Sequence, residues 1–203
     1  MNRKPVIGLI GAIGAGKSTV AAALAERGGR IVDADRLGHA ALERPEIRQK
    51  VLDRWGTRGS LLKPDGRLDR RAIAGIVFAD PAERSALEAI VFPDIVRQAL
   101  QEIETTQTDP AVKFVVVDAA VMLEAGWDHI CDRLVYVDAP REVRLSRLAT
   151  RSGWTDSDLA AREAAQWPAE KKLPRADAVI MNNGSREELL NRVNRMLKQL
   201  GVV

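Results

Sequence analysis

The sequence predicts an α/β fold, a doubly wound sheet of five parallel strands elaborated by a helical insertion and a helical lid, and three observations carry the core of that prediction. Five short runs are rich in Val and Ile at consecutive positions, as strands buried on both faces require. The stretches between them are long enough for crossover helices. The first run also opens into a glycine-rich segment and then a helical pattern. A chain of 203 residues, with 46% hydrophobic and 29% charged residues, can bury such a core and is not of disordered composition. With 31 basic against 28 acidic residues the net charge is only +3, which does not mark a nucleic-acid binder. No stretch reaches the roughly 18 to 20 apolar residues of a membrane span, so no membrane association is expected. The single Cys131 has no internal disulfide partner, so a reducing cytoplasm is the expected location, and His39 and His129 form no metal-ligand spacing with it.

The first strand is "PVIGLI" (5–10). Its basic start and apolar run resemble a signal peptide, but the run ends in glycines and a lysine and reads as a strand. A helix, "KSTVAAALAERG" (17–28), leads to the second strand, "GRIVDAD" (29–35). Residues 36–110 form an inserted helical region in which "WGTRGSLLKPDGRLDRR" (55–71), with Pro64-Asp65 and Asp65-Gly66, is a loop. In the helix over 80–103, Asp80 is the expected N-cap, Pro81 occupies the first turn and Glu83 completes a capping box. Pro93 should kink or divide that helix. The third strand is "KFVVVDAA" (113–120) and the fourth "DRLVYVDAP" (132–140). A helical pattern follows in "PREVRLSRLATRSGW" (140–154), and "ADAVIMNN" (176–183) is the last strand, with no repeat or low-complexity tract anywhere.

Gly11-Ala12-Ile13-Gly14-Ala15-Gly16-Lys17-Ser18 fits G-x-x-x-x-G-K-[ST] at every fixed position, between a predicted strand and a predicted helix. Glycines let backbone N–H groups approach phosphate oxygens, and the helix N-terminus adds positive potential. Lys17 would reach the outer phosphates and Ser18 would hold Mg²⁺. Asp33 and Asp35 end the second strand, where open α/β sheets place their ligands. Asp33 is the candidate that meets an acceptor hydroxyl and takes its proton, and Asp35 the candidate helix cap. Asp118 ends the third strand and could meet the Mg²⁺ shell through water. Glu124 either contacts substrate or begins a turn. Arg141, Arg144, Arg147 and Arg151 share one helix face, where they are a solvated stripe or a lid that stabilises phosphoryl charge. Lys171, Lys172 and Arg175 could reach an acidic second substrate.

Almost end to end, the chain resembles the dephospho-coenzyme A kinase family. "GLIGAIGAGKST" is similar to that family's phosphate loop, "VDADRLGH" to its acidic second-strand motif and "DGRLDRRAIAGIVFADPAERSALEAIVFPDI" to its helical insertion. "VVVDAAVMLEAGWD" matches the third-strand block and "ADAVIMNNGS" the closing strand and adenine-side loop. The resemblance implies a P-loop kinase with a nucleotide core over 1–35, 111–140 and 176–203, a substrate domain over 36–110 and a lid over 141–175. It implies that ATP and Mg²⁺ phosphorylate the ribose 3′-hydroxyl of dephospho-coenzyme A, with no obligate protein partner. Carried over by position, the resemblance implies that Asp33 is the base, Lys17 the catalytic group that contacts the phosphates and Arg147 the lid arginine. Gly14, Ala15, Gly16, Lys17, Ser18, Thr19 and Asn183 bind nucleotide, and Ser18 and Asp118 serve the metal. Three positions depart from the pattern: Phe92 where His is usual, Ala120 where proline is usual and Arg144 where glutamine is common. The phosphate loop alone also suits a kinase of a nucleoside, nucleotide or shikimate-like acceptor, or a nucleotide-dependent switch. The absence of an N-K-x-D guanine motif favours ATP.

Overall fold

The computed structural model describes residues 3–202. Its sheet is built from β1 (Val6–Gly11), β2 (Gly29–Asp33), β3 (Phe114–Asp118), β4 (Arg133–Asp138) and β5 (Ala178–Met181), every adjacent pair parallel, in the order β2-β3-β1-β4-β5. The five predicted strands and their parallel arrangement are therefore present. β2 is shorter than the sequence suggests: the strand stops at Asp33 and helix α2 (Ala34–Leu42) begins at the next residue. Asp35 accordingly lies inside the first turn of α2, where a carboxylate complements the helix dipole, and is not the residue ahead of it.

Two compact units form, one from the residues up to 33 together with those from 102 onward, the other from residues 34–101. In the first unit, Ile7, Leu9, Phe114, Val116, Val135, Val137 and Ile180 from the sheet are buried with Val20 and Leu24 of α1 (Lys17–Ala25) and Leu189, Val193 and Leu197 of α9 (Arg186–Gln199). These strand residues alternate along the chain, so they share one face and the two helices cover it. Lys4 fixes the C-terminal end of the long α5 (Pro81–Gln107): its Nζ donates to the carbonyls of Thr106, Gln107 and Asp109 at 2.8, 2.9 and 2.5 Å. The first two belong to the last turn of α5, whose carbonyls a helix end leaves without intrahelical partners. No helix among the described residues is long and apolar enough to cross a membrane.

The second unit packs α2, α3 (Pro45–Trp55), α4 (Arg70–Ala79) and most of α5. Its core is Val51, Trp55, Leu61, Leu68, Ile73 and Val77. The expected loop between α3 and α4 folds back on itself, with an antiparallel bridge between Leu62 and Leu68 closed by a turn in which Gly66 takes φ 79°. Asp80 does begin α5, its Oδ1 accepting from the Ala82 amide at 2.8 Å. Of the two effects expected of Pro93, division of α5 does not occur: the helix runs unbroken from Pro81 to Gln107. Val91, Ile95, Ala99 and Ile103 are all buried at intervals of four, so one continuous apolar stripe offsets the roughly 3 kcal/mol that an internal proline costs.

Glu83 does not close a capping box either. Its carboxylate turns inward and accepts from the Trp55 indole Nε1 at 2.9 Å, Arg54 Nε at 2.9 Å and Arg58 Nη2 at 2.7 Å. With the residue only 7% exposed, these donors are what make its burial tolerable. The Trp55 hydrogen bond first, then the two arginines, hold the carboxyl below the usual glutamate range against the opposing effect of burial.

Because the folded form holds this proton less tightly than the unfolded chain, Glu83 stabilises the fold at pH values above the ordinary glutamate pKa. That contribution disappears as pH falls through its lowered value. Glu83→Gln is expected to lower the melting temperature by several degrees at pH 7 and to flatten its decline below about pH 4. Thermal melts across pH 3 to 8 check this; an unchanged acid limb would remove Glu83 from the account.

Candidate active site

Between β1 and α1 the chain must turn sharply while keeping its amides turned toward a ligand. Gly14 and Gly16 accomplish this in left-handed conformations, φ 77° and 88°. No side chain caps the start of α1, whereas α7 (Asp156–Glu163) and α9 carry reciprocal capping boxes from Thr155 and Ser185. At the start of α1 the Thr19 and Val20 amides turn back to the Gly16 carbonyl, at 3.0 and 3.1 Å, and this end of the helix is the one that favours an anion. The space behind the loop is full. A Cβ on Gly14 would come within 2.9 Å of Leu148 Cδ1 and 3.1 Å of the Arg144 backbone oxygen, and one on Gly16 would strike the Asn182 side-chain amide.

Two carbonyls of the loop, those of Ile13 and Ala15, are engaged from that filled side. Asn182 Nδ2 donates to the Ala15 carbonyl at 2.8 Å, and Arg147 Nη1 to the same oxygen at 3.3 Å. Arg147 Nη2 donates to the Asn182 carbonyl at 2.8 Å. Arg144 Nη1 donates to the Ile13 carbonyl at 3.1 Å, and Lys17 Nζ lies 3.4 Å from the Gly11 carbonyl. Asn182 is 4% exposed and escaped the sequence reading, which singled out its neighbour Asn183. Asn183 is exposed and accepts from Arg192 Nη1 at 2.9 Å. The signal for Asn182 lies in the alternation of β5: Ala178 and Ile180 are buried, Val179 and Met181 exposed, so the next inward position falls on Asn182.

At the carboxyl edge of the sheet, Asp33 and Asp118 are register partners on β2 and β3, and Leu9 of β1 is the partner of Asp118 on its other side. The two carboxylates thus stand side by side at the strand ends, with the phosphate loop leaving the neighbouring strand two residues further on. Ser18 and Thr19 lie in the first turn of α1. The grouping is entirely of oxygen donors, and among the described residues no cluster of three His, Cys, Asp or Glu side chains could hold a metal by itself. A hard cation that keeps waters and takes its other ligands from phosphates suits such a sparse set.

The four arginines of α6 (Arg141–Ser152) divide by partner. Arg144 and Arg147 grip the loop carbonyls, Arg141 pairs with Asp156 of α7, and Arg151 faces solvent. Two basic residues expected to reach substrate are engaged elsewhere. Lys172, 3% exposed, pairs with Glu124 at 2.8 Å, and Arg175 pairs with Asp128. Glu124 also accepts from the Trp167 amide at 2.9 Å, so it ties the segment around α8 (Ala169–Lys172) to the chain that follows β3.

Comparison with known proteins identifies the family by sequence. A dephospho-CoA kinase family model matches residues 5–188. The dephospho-CoA kinase of Anaeromyxobacter dehalogenans is 41% identical over 197 residues, covering 96% of this chain and 92% of the relative. A crystal structure of a Thermus thermophilus protein superposes with a TM-score of 0.82 at 36% identity, covering 98% and 99% of the two chains. A dephospho-CoA kinase from Campylobacter jejuni shares the fold, with a TM-score of 0.71 at 22% identity and 97% coverage of each chain.

The crowding behind the loop yields a controlled test. Gly16→Ala combines a strained φ with a collision, whereas Gly126→Ala places the same methyl at φ 69° in open space. Gly16→Ala is expected to weaken binding of ATP by at least about 10-fold, the equivalent of roughly 1.4 kcal/mol, and Gly126→Ala to lower stability alone. Equilibrium titration of both variants with ATP decides; equal affinities would mean that the loop tolerates the methyl.

Proposed function

The chain belongs to the dephospho-CoA kinase family, and from that premise we propose how its own residues move the terminal phosphoryl of ATP to the ribose 3′-hydroxyl of dephospho-coenzyme A. The observation that carries the reading is the registered pair Asp33 and Asp118, at the sheet edge beside an intact phosphate loop.

ATP lies with its phosphates on the backbone amides from Gly14 to Thr19, and Asn183 lines the adenine side. Lys17 supplies a positive charge to the outer phosphates, where charge accumulates as the bond to the leaving ADP oxygen lengthens. The Ser18 hydroxyl, and Asp118 through water, would hold Mg²⁺, which when bound neutralises charge on the phosphate oxygens. Asp33 orients the acceptor hydroxyl. As that oxygen forms its bond to phosphorus and the bridging oxygen departs with ADP, the hydroxyl proton passes to the Asp33 carboxylate. Arg147 spends one N–H each on the Ala15 and Asn182 carbonyls, and a guanidinium has five, so donors remain for the transferring phosphoryl. The segment over 141–175 acts as the lid that excludes water.

The helical region over 36–110 receives dephospho-coenzyme A. A groove of about 760 Å³ in the second unit supports this, because Lys63, Arg70 and Arg71 line it beside the apolar Leu42, Ile73 and Val77. Basic side chains next to apolar ones suit a ligand that joins a diphosphate to a long, weakly polar arm. The groove also contains His39, whose Nε2 lies 2.6 Å from Arg70 Nη2 and, facing a group that can only donate, is the acceptor. One cysteine, Cys131, whose thiol burial pushes up to about 12, fits a reducing cytoplasm.

Incubation of the purified protein with ATP, Mg²⁺ and dephospho-coenzyme A should yield coenzyme A by mass, and absence of product would refute the reading. Asp33→Asn keeps size while losing the proton acceptor. It is expected to retain ATP binding and to slow single-turnover transfer by about 10²- to 10⁴-fold, the loss being nearer the lower limit if the transition state is loose. Asp35→Asn is the comparison. Parent-like transfer in Asp33→Asn, or greater damage in Asp35→Asn, would move the base elsewhere.

A further inference from the structure

The grip on the loop carbonyls has a stereochemical consequence for the amides. A peptide unit is planar and trans, so its C=O and the following N–H point in opposite directions. A carbonyl fixed toward α6 therefore turns the next amide away from α6. The Ala15 carbonyl, which orients the Gly16 amide in this way, has two donors, Asn182 and Arg147. The Ile13 carbonyl, which orients the Gly14 amide, is held by Arg144.

Arg144 is unusually well restrained for an arginine. Its side chain is 11% exposed, and its Nε donates to the Ala139 carbonyl at 3.2 Å. The same Nη1 that meets Ile13 also pairs with the Glu163 carboxylate, at the end of α7. Glu163 is in turn held: Arg141 Nε lies 3.8 Å from it and Arg141 Nη1 pairs with Asp156 at the other end of α7, while Leu159 between them is fully buried. The guanidinium is thus clamped between two loops and a carboxylate, and the carboxylate belongs to a helix that is fastened at both ends.

We propose that Arg144 and Glu163 form a positioning pair that sets the Gly14 amide for the nucleotide phosphates. Glu163 touches no part of the phosphate loop itself; it acts by fixing the arginine that does. A neutral side chain at 163 leaves Arg144 free to swing off the Ile13 carbonyl toward incoming phosphate, and the Gly14 amide then loses its preset direction. Such pairing needs both members, because a carboxylate without the arginine has nothing to orient, and a shorter uncharged residue at 144 cannot span Ala139, Ile13 and Glu163 together. This inference rests on ATP occupying the phosphate loop.

The test compares the full-length parent with Glu163→Gln, Arg144→Gln and the double variant. It reads the equilibrium dissociation constant for ATP, KM for ATP and for dephospho-coenzyme A, and the melting temperature. Each single variant should raise the ATP dissociation constant and KM by about 5- to 10-fold, the scale of one charge-assisted hydrogen bond, with KM for dephospho-coenzyme A unchanged. The double variant should match Arg144→Gln alone. Unchanged ATP affinity, a rise in both KM values together with a lower melting temperature, or additive losses in the double variant would each overturn the pairing while leaving the kinase reading intact. Failure of the parent itself to bind ATP or form coenzyme A would overturn the kinase reading and this inference with it.

Discussion

A loop that offers its amides to phosphate must turn its carbonyls the other way, into the protein, and each carbonyl buried there needs a donor. That requirement organises the surroundings of residues 11–18. Asn182, Arg147 and Arg144 supply the donors, from the end of β5 and from α6. Their approach consumes the space a side chain would need, which is why glycine stands at 14 and 16 irrespective of backbone angle. Two arginines of α6 are therefore part of the support on which the loop rests.

Much of the frame was legible because it depends on local pattern. Strands buried on both faces announce themselves as unbroken Val and Ile runs, and a phosphate loop as fixed glycines between strand and helix. Less legible was whatever depends on a partner far along the chain. Lys172 reads as a basic residue free to meet an acidic substrate, yet it is buried because Glu124, 48 positions earlier, neutralises it. The regular spacing of the α6 arginines predicts a shared face, but spacing cannot say that two of them meet backbone carbonyls while Arg141 meets a carboxylate. Asn182 and Asn183 are identical in type and adjacent; only the strand alternation separates the one that turns inward. Pro93 is the opposite case: a proline that locally could divide a helix does not divide this one, where a stripe of buried residues continues past it.

Many charged residues in this chain do architectural work, which is why a near-neutral balance says little about ligands. Glu83 gathers Trp55, Arg54 and Arg58 in the second unit. Asp94 collects Arg44 and Arg97 in the same unit, again from a nearly buried carboxylate. In the first unit the Glu124 and Lys172 pair serves the same end with its signs exchanged. Removing the partners strands the buried member, the carboxylate of Glu83 or Asp94 or the ammonium of Lys172, in a poorly hydrated site, so these groups tolerate substitution less well than exposed pairs do.

The position of Asp33 follows from how abruptly β2 ends. The ladder with β3 holds Asp33 to its partner Asp118, and α2 begins at the very next residue, so no loop intervenes on either side. A carboxylate whose backbone is fixed from both directions has little conformational freedom left to lose when it meets a reacting hydroxyl, and that is the condition under which positioning contributes most to a rate. Asp35, two residues on, lies in the first turn of α2 and not on the strand. The shortness of the strand, which the apolar run in the sequence overstated by two residues, is thus the feature that separates the two aspartates physically and underlies the proposal of Asp33, not Asp35, as the base.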